Sequence, residues 1–182
     1  MPSVLAIVVL IIVAIVLVVL VVFLAPGLTG APYVPSQQAD LETAFTELYK
    51  LSKKDLLVDL GSGDGIVLQA ATAHGATAIG VEINPIMTLI TRLHLRQNKS
   101  IKIRNGNMYT FSLPAETTVV YAYANNLVVP RLYRRVQSEA NRLGKTLYFI
   151  SNAFDHQRIK PTKHIAPYYL YKITPQKYNK HK

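Results

Sequence analysis

Between residues 55 and 173, short β-rich segments alternate with longer helical segments, and this alternation constrains the fold more than any other feature. Segments rich in Val, Ile, Tyr and Phe predict strands at residues 55–60, 76–83, 100–105, 117–124, 145–151 and 167–173. Segments with apolar residues at helical spacing predict helices at residues 65–75, 85–98 and 130–144. Strands that alternate with helices indicate an α/β sandwich with a mostly parallel sheet.

Residues 4–24 form an uninterrupted apolar run near the N-terminus. As a helix with a rise of ~1.5 Å per residue, this run would measure roughly 31 Å, which matches the hydrocarbon core of a bilayer. A cleavable signal peptide would be shorter and would begin with a basic region. A core helix that is apolar on all sides would need a larger protein to bury it. We therefore predict a transmembrane anchor over residues 1–25.

Proline and glycine mark the next boundary. The stretch "APGLTGAPYVPS" at residues 25–36 predicts a linker. Apolar residues at helical spacing follow it and predict a further helix, namely Leu41, Ala44, Phe45, Leu48 and Leu51. We assign residues 26–36 to the linker, residues 37–175 to the globular domain and residues 176–182 to a basic tail.

The chain carries a net charge of +10 and no cysteine. All of its Lys and Arg residues follow the apolar run, which favours a single-pass anchor with a cytoplasmic domain. A basic surface suits anionic lipid headgroups or nucleic acid. The lack of cysteine excludes disulfides and thiolate metal sites. The five histidines show no metal-ligand spacing, so we predict no metal site.

A glycine loop, Asp-Leu-Gly-Ser-Gly-Asp-Gly at residues 59–65, follows the first predicted strand. Ligands of open α/β sheets bind beyond the carboxyl ends of the strands, where this loop is expected. Gly61 and Gly63 have no side chain to keep a ligand away from the backbone. The loop has Ile66 at the third glycine position of the dinucleotide fingerprint, and it lacks the Gly-Lys-Ser/Thr of a phosphate loop.

The acidic residues around the loop indicate which ligand it binds. Asp59 and Asp64, beside the start of a helix, would repel a phosphate but suit a ligand that carries an ammonium group. Glu82 ends the second predicted strand, where a carboxylate can accept hydrogen bonds from both hydroxyls of a ribose. Bare glycines, acids that suit a cation and an acid that suits a ribose together predict S-adenosylmethionine.

The segments "VDLGSGDG" and "GVEIN" resemble motifs I and II of class I S-adenosylmethionine-dependent methyltransferases, and the resemblance covers residues 33 to about 173. It implies a Rossmann-like sandwich whose last strand is antiparallel. The cofactor-binding residues that it implies in the two motifs are Asp59, Gly61, Ser62, Gly63, Asp64, Gly65, Glu82, Ile83 and Asn84. It also implies that Asn107 and Met108, after the third strand, approach the adenine. The family usually has aspartate where this chain has Asn107.

The stretch "PYVPS" at residues 32–36 resembles a narrower group. These are the membrane-anchored mitochondrial lysine methyltransferases of the ADP/ATP translocase and the ATP synthase c-subunit, with their prokaryotic relatives. In that group the Tyr-Val-Pro element folds over the cofactor, which implies that Tyr33, Pro35 and Ser36 reach the site. Residues 26–36 would then be both a linker and a cofactor-covering segment; the alternative is a linker only.

A lysine acceptor must be neutral to attack, and an apolar or aromatic channel lowers its pKa. Tyr109, Tyr121 and Tyr123 are candidates to line such a channel, with ordinary packing as the alternative. The stretch "YAYANN" at residues 121–126 resembles the asparagine pair of the nucleosome-core class of non-SET histone lysine methyltransferases. This resemblance implies that Asn125 or Asn126 orients the amine, and we predict both, with Tyr123, as catalytic residues.

We therefore expect a membrane-anchored methyltransferase that acts on a protein lysine, with a membrane protein as one candidate substrate and the membrane as a further partner. Methylation of a lipid-like or other small molecule is the alternative. RNA ranks lower, because enzymes that methylate base amino groups carry an Asn/Asp-Pro-Pro-Tyr/Phe turn where this chain has Ala124-Asn125-Asn126-Leu127. A catalytically dead binding module is a non-enzymatic alternative, and the sequence leaves the oligomeric state open.

Overall fold

The computed structural model describes residues 3–29 and 38–176, with the side chains of residues 3–18, 20 and 41–176. The chain divides into two compact units, Met1–Tyr33 and Val34–Lys182. The unit boundary lies within the predicted linker. The predicted basic tail lies almost entirely outside the described residues.

The first unit contains the helix α1 (Val4–Thr29). Its large apolar side chains, where described, are 46–79% exposed. Among the residues that the structure describes, no helix is long and apolar enough to cross a membrane. The helix expected from the apolar run is thus present, whereas the predicted transmembrane anchor over residues 1–25 is not found among the described residues.

The second unit contains a sheet with helices on both of its faces. The strands are β1 (Leu56–Leu60), β2 (Thr77–Glu82), β3 (Ile101–Asn105), β4 (Val119–Tyr123), β5 (Leu147–Asn152), β6 (Lys163–Ile165) and β7 (Tyr168–Ile173). The helices are α2 (Gln38–Thr43), α3 (Ile66–Ala73), α4 (Pro85–His94) and α5 (Val129–Leu143), and a π-helical turn (Ala44–Leu48) continues α2.

The strand order is β3-β2-β1-β4-β5-β7-β6. The first five strands of this order are parallel, so their carboxyl ends share one edge of the sheet. β7 is antiparallel to β5, and β6 is antiparallel to β7. The predicted α/β sandwich with a mostly parallel sheet is confirmed. The sheet has a second antiparallel strand, β6, which the sequence analysis did not predict.

Two clusters of buried side chains lie on opposite faces of the sheet. Leu57 of β1 packs with α2, the π-helical turn and α3, whereas its neighbour Val58 packs with α5. Successive side chains of a strand point to opposite faces, so β1 is covered on both sides. This explains why the central strands are apolar runs rather than alternating ones. The five apolar residues predicted to form one helical face, from Leu41 to Leu51, are all buried.

Candidate active site

The glycine loop follows β1 at the centre of the parallel part of the sheet. The N–H groups of Gly61 and Ser62 both donate to the carbonyl oxygen of Val81, at 2.8 and 3.1 Å, and so hold the loop against the end of β2. Gly61 has a φ of +99°, and a Cβ at this position would meet no atom within 4 Å. The loop therefore presents bare main chain to open space, as a ligand that lies on the backbone requires.

A polar face of α4 fixes the loop from the other side. Thr91 is 1% exposed, and its Oγ1 donates to the carbonyl oxygen of Gly63 at 2.8 Å. Gly65, which precedes α3, has a φ of +82°, and a Cβ there would lie 2.6 Å from Cδ1 of Leu95. A side chain at residue 65 would therefore be strained by the positive φ and would require Leu95 to move. Thr91 was not predicted from the sequence, where its signal is a threonine at an inward position of an apolar helix.

Glu82, the last residue of β2, faces the glycine loop. Its Oε2 accepts a hydrogen bond from the N–H of Gly63 at 3.0 Å, and its Oε1 accepts one from the N–H of Asn84 at 2.8 Å. Each carboxylate oxygen has two acceptor positions, so each can accept one further hydrogen bond. Two fixed acceptors beside open main chain fit the neighbouring hydroxyls of a ribose.

Asp59 provides a second carboxylate at the same edge of the sheet. It is 2% exposed. Burial, followed by the nearby charges of Glu82 and Asp64, raises the pKa of Asp59 to about 8. The negative charges of Glu82 and Asp64 beside this buried carboxyl make a region that attracts positive charge. This electrostatic arrangement supports a cationic ligand rather than a phosphate.

The remaining predicted residues of motifs I and II help to shape the loop and the start of α4. Asp64 Oδ1 accepts a hydrogen bond from the N–H of Ile66 at 3.2 Å. Asn84 is buried, and its Oδ1 accepts hydrogen bonds from the N–H groups of residues 86 and 87 as the N-cap of α4. Ser62 is buried at the turn, whereas Ile83 is 54% exposed beside Glu82. Their cofactor contacts stay predictions.

The segment after β3 reaches the same edge. The N–H of Gly106 donates to the carbonyl oxygen of Glu82 at 2.9 Å. The residues that follow Gly106 therefore begin beside the predicted ribose site. Asn107 is exposed, and its Oδ1 accepts a hydrogen bond from the N–H of Tyr109 at 2.9 Å. Met108 is half-buried and packs against the α5 side of the core. Both residues lie where the adenine is expected, and their contacts with it stay predictions.

The three tyrosines proposed for an acceptor channel have different surroundings. Tyr121 is 1% exposed, and its hydroxyl accepts a hydrogen bond from Nδ2 of Asn152 at 2.9 Å. This residue belongs to the core, so the alternative of ordinary packing is correct for it. Tyr109 is half-buried, with the guanidinium of Arg131 3.7 Å from its ring centre. Tyr123 is half-buried at the carboxyl end of β4.

The two candidate asparagines lie in the turn between β4 and α5. Asn125 Oδ1 accepts hydrogen bonds from the N–H groups of Leu127 and Val128, both at 3.0 Å, so this side chain shapes the turn. Asn126 is exposed, and Leu127 is 81% exposed. Because β4 lies beside β1, this turn adjoins the glycine loop. The three N-terminal residues predicted to cover the cofactor, Tyr33, Pro35 and Ser36, lie outside the described residues.

Comparisons with known proteins agree with this geometry. A family model described as the ANTKMT methyltransferase domain matches residues 59–163. A lysine N-methyltransferase of the ATP synthase c-subunit, from Caenorhabditis elegans, is 30% identical over 134 residues, which are 66% of this chain and 70% of that protein. One of the same name from Xenopus laevis is 36% identical over 72 residues, which are 38% of this chain and only 31% of that protein.

The solved structures include a related protein with bound cofactor product. An RNA methyltransferase from Salinibacter ruber, in complex with S-adenosyl-L-homocysteine, matches with a TM-score of 0.69 and 26% identity. The match covers 79% of this chain and 95% of that chain. The bare main chain at Gly61 and the paired acceptor oxygens of Glu82 fit S-adenosylmethionine. The chain belongs to the ANTKMT methyltransferase domain family and is an S-adenosylmethionine-dependent methyltransferase.

Proposed function

We propose that this enzyme transfers the methyl group to the side-chain nitrogen of a protein lysine. The observation that carries the proposal is the turn between β4 and α5, next to the cofactor loop. Residues 121–130 contain no charged side chain, and Leu127 is 81% exposed within this stretch. A turn without charged side chains disfavours an ammonium group and favours the neutral amine that can attack. The lysine methyltransferase from Caenorhabditis elegans, similar over two thirds of this chain, supports the same acceptor.

The protein's contribution to this reaction is alignment and electrostatics. When bound, S-adenosylmethionine supplies an electrophilic methyl group on a sulfonium. Glu82 would hold the ribose, and Asp59 lies where a positive charge is favoured. Asn125 is a positioning residue that holds the turn through two backbone N–H groups, and Asn126 is the exposed side chain that can orient the amine. Holding the methyl donor and the acceptor nitrogen in line lowers the barrier to transfer, because the entropy cost of bringing them together is met on binding.

Labelled S-adenosylmethionine, incubated with the full-length enzyme and membranes of the host, tests the acceptor class. Label in a protein band, with a mass shift on a lysine residue, supports the proposal. Asn126→Ala should lower kcat for that protein without changing the Kd for S-adenosylmethionine. Gln97→Ala, in an exposed turn away from the site, is the control. Label confined to extractable lipid would contradict a protein acceptor.

RNA is a second candidate acceptor, because the Salinibacter ruber protein named an RNA methyltransferase is covered over 95% of its length. The net charge of +10 also suits a polyanion. The same labelling experiment distinguishes the two acceptors, since label that ribonuclease removes would favour RNA. We rank RNA second because no charged side chain lies in the turn that adjoins the cofactor loop.

Attachment to a membrane through residues 4–24 is a separate proposal. The unbroken apolar sequence of these residues supports it, as does the exposure of the described apolar side chains of α1. The basic residues all follow this segment, which supports a domain on the cytoplasmic side. The test is extraction of cell membranes with alkaline carbonate. Enzyme that stays in the pellet supports attachment, and release of the intact chain would contradict it.

A further inference from the structure

The helix α4 presents its apolar side chains outwards and its polar ones inwards. Thr88 and Thr91 face the interior and are 2% and 1% exposed. On the opposite side, four large apolar residues are 43–57% exposed, namely Ile86, Leu89, Ile90 and Leu93. This arrangement is the reverse of the usual amphipathic helix, which turns its apolar stripe to the core.

The polar residues on the inner face of α4 are explained by their contacts at the cofactor site. Thr91 holds Gly63 of the glycine loop, and Thr88 Oγ1 donates to the carbonyl oxygen of Asn84 at 2.9 Å. The outer face has no such explanation. Its four residues have the spacing i, i+3, i+4 and i+7, so they form one continuous stripe. Contiguous exposed apolar patches mark interaction surfaces, whereas single exposed residues do not.

The charges around the stripe indicate its partner. From Ile83 to Ala115 the sequence contains no Asp or Glu. Within α4 and directly after it, the same stretch carries three exposed basic residues, Arg92, Arg96 and Lys99. At 100° per residue, Arg92 lies along one border of the stripe, and Arg96 follows directly after the end of α4. An apolar stripe bordered by cations is the pattern by which helices lie in the interface of an anionic membrane.

We propose that the outer face of α4 docks on the surface of an anionic lipid bilayer, with the four apolar side chains inserted among the acyl chains. A second copy of the chain is a poorer partner, because a symmetric contact would bring the same basic residues together. Basic side chains near an anionic surface each contribute favourably to binding. The proposal is independent of the acceptor and of the apolar N-terminal segment, since it rests on α4 and its flanking charges alone.

The absence of cysteine from the chain allows a direct test. Leu89→Cys in the full-length enzyme provides one thiol for an environment-sensitive fluorophore, and Ser138→Cys, exposed on α5 over the other face of the sheet, provides the control. Both proteins are added to vesicles of phosphatidylcholine alone or mixed with phosphatidylserine. We expect a blue shift of the Leu89 label with the mixed vesicles, a smaller shift with phosphatidylcholine alone, and no shift of the Ser138 label.

Two further measurements separate the bilayer from other partners. Arg96→Gln combined with Lys99→Gln should reduce the shift of the Leu89 label, and high salt should do the same. The Kd for S-adenosylmethionine should stay unchanged, which shows that the domain is folded. Equal emission from the Leu89 label with and without mixed vesicles would overturn the proposal. A blue shift already present before lipid is added would also overturn it, because a second copy or another part of the chain would then cover the stripe.

Discussion

Asp59 offers a prediction in which stability and binding change in opposite directions. Burial first, and then the charges of Glu82 and Asp64, raise the pKa of its carboxyl from 3.8 to about 8. The substitution Asp59→Asn replaces this carboxyl with a neutral group of nearly the same shape. We expect the variant to be more stable than the wild type at alkaline pH. At pH 9, where the wild-type carboxyl is ionised, it should bind S-adenosylmethionine at least about tenfold more weakly, because an interaction with a charged group is lost.

The size of the stability change follows from the pKa. Between pH ~4 and ~8 the folded wild type keeps a proton that the unfolded chain has released, so its stability falls by about 1.4 kcal/mol per pH unit and levels off above pH ~8. The amide introduced by Asp59→Asn has no such proton. From pH 6 to pH 9, the stability of the variant relative to the wild type should therefore rise by about 2–3 kcal/mol.

Urea unfolding of the wild type and Asp59→Asn at pH 6 and pH 9, followed by circular dichroism, measures this difference. Other titrating groups are common to both proteins and cancel. Glu116→Gln, at an exposed position in the loop between β3 and β4, is the matched control and should show no change of the difference with pH. A difference for Asp59→Asn that is the same at both pH values would mean that Asp59 ionises as freely in the fold as outside it, contrary to its raised pKa.

Two substitutions in helices that pack on the sheet, one in α4 and one in α5, should both lower stability, and the one in α4 should also weaken cofactor binding. Thr91→Val keeps the shape of the side chain but leaves the carbonyl oxygen of Gly63 without its donor, which should cost about 1–2 kcal/mol in urea unfolding and raise the KM for S-adenosylmethionine; an unchanged KM would mean that α4 does not hold the loop. Glu139 is 2% exposed and bonds both Arg135 and Arg142 on α5, so Glu139→Ala should cost about 1–3 kcal/mol. A melting temperature equal to that of the wild type would contradict this structural role.

The sequence predicts the fold well where apolar runs are long and buried. β1 and β4 are covered on both faces, so nearly all of their residues are apolar, and this composition identifies them as strands. β6 is only three residues long and lies at the edge of the sheet, where too few side chains are buried to leave a pattern. The π-helical turn at Ala44–Leu48 was predicted only as part of a helix, because its buried residues keep the same apolar spacing. The helix α4 ends at His94 rather than at the predicted residue 98.

The cofactor side of the site was more predictable than the acceptor side. Cofactor binding needs a glycine and a carboxylate at fixed places in the fold. Gly61 and Glu82 could therefore be identified from their sequence positions at the ends of the first two predicted strands. Tyr121 and Tyr123 differ by two positions on one strand and look alike in sequence. Only the packing shows that the first is buried and that the second lies at the carboxyl end. The role of Asn125 in shaping its turn likewise depends on backbone geometry.

Calorimetric titration of the full-length enzyme with S-adenosylmethionine tests whether Glu82, beside the glycine loop, holds the cofactor's ribose. The wild type should bind one equivalent. Glu82→Ala should weaken binding at least about a hundredfold, because it removes two hydrogen bonds to a charged group, whereas Glu116→Ala should bind like the wild type. Wild-type affinity in the Glu82→Ala variant would contradict the account.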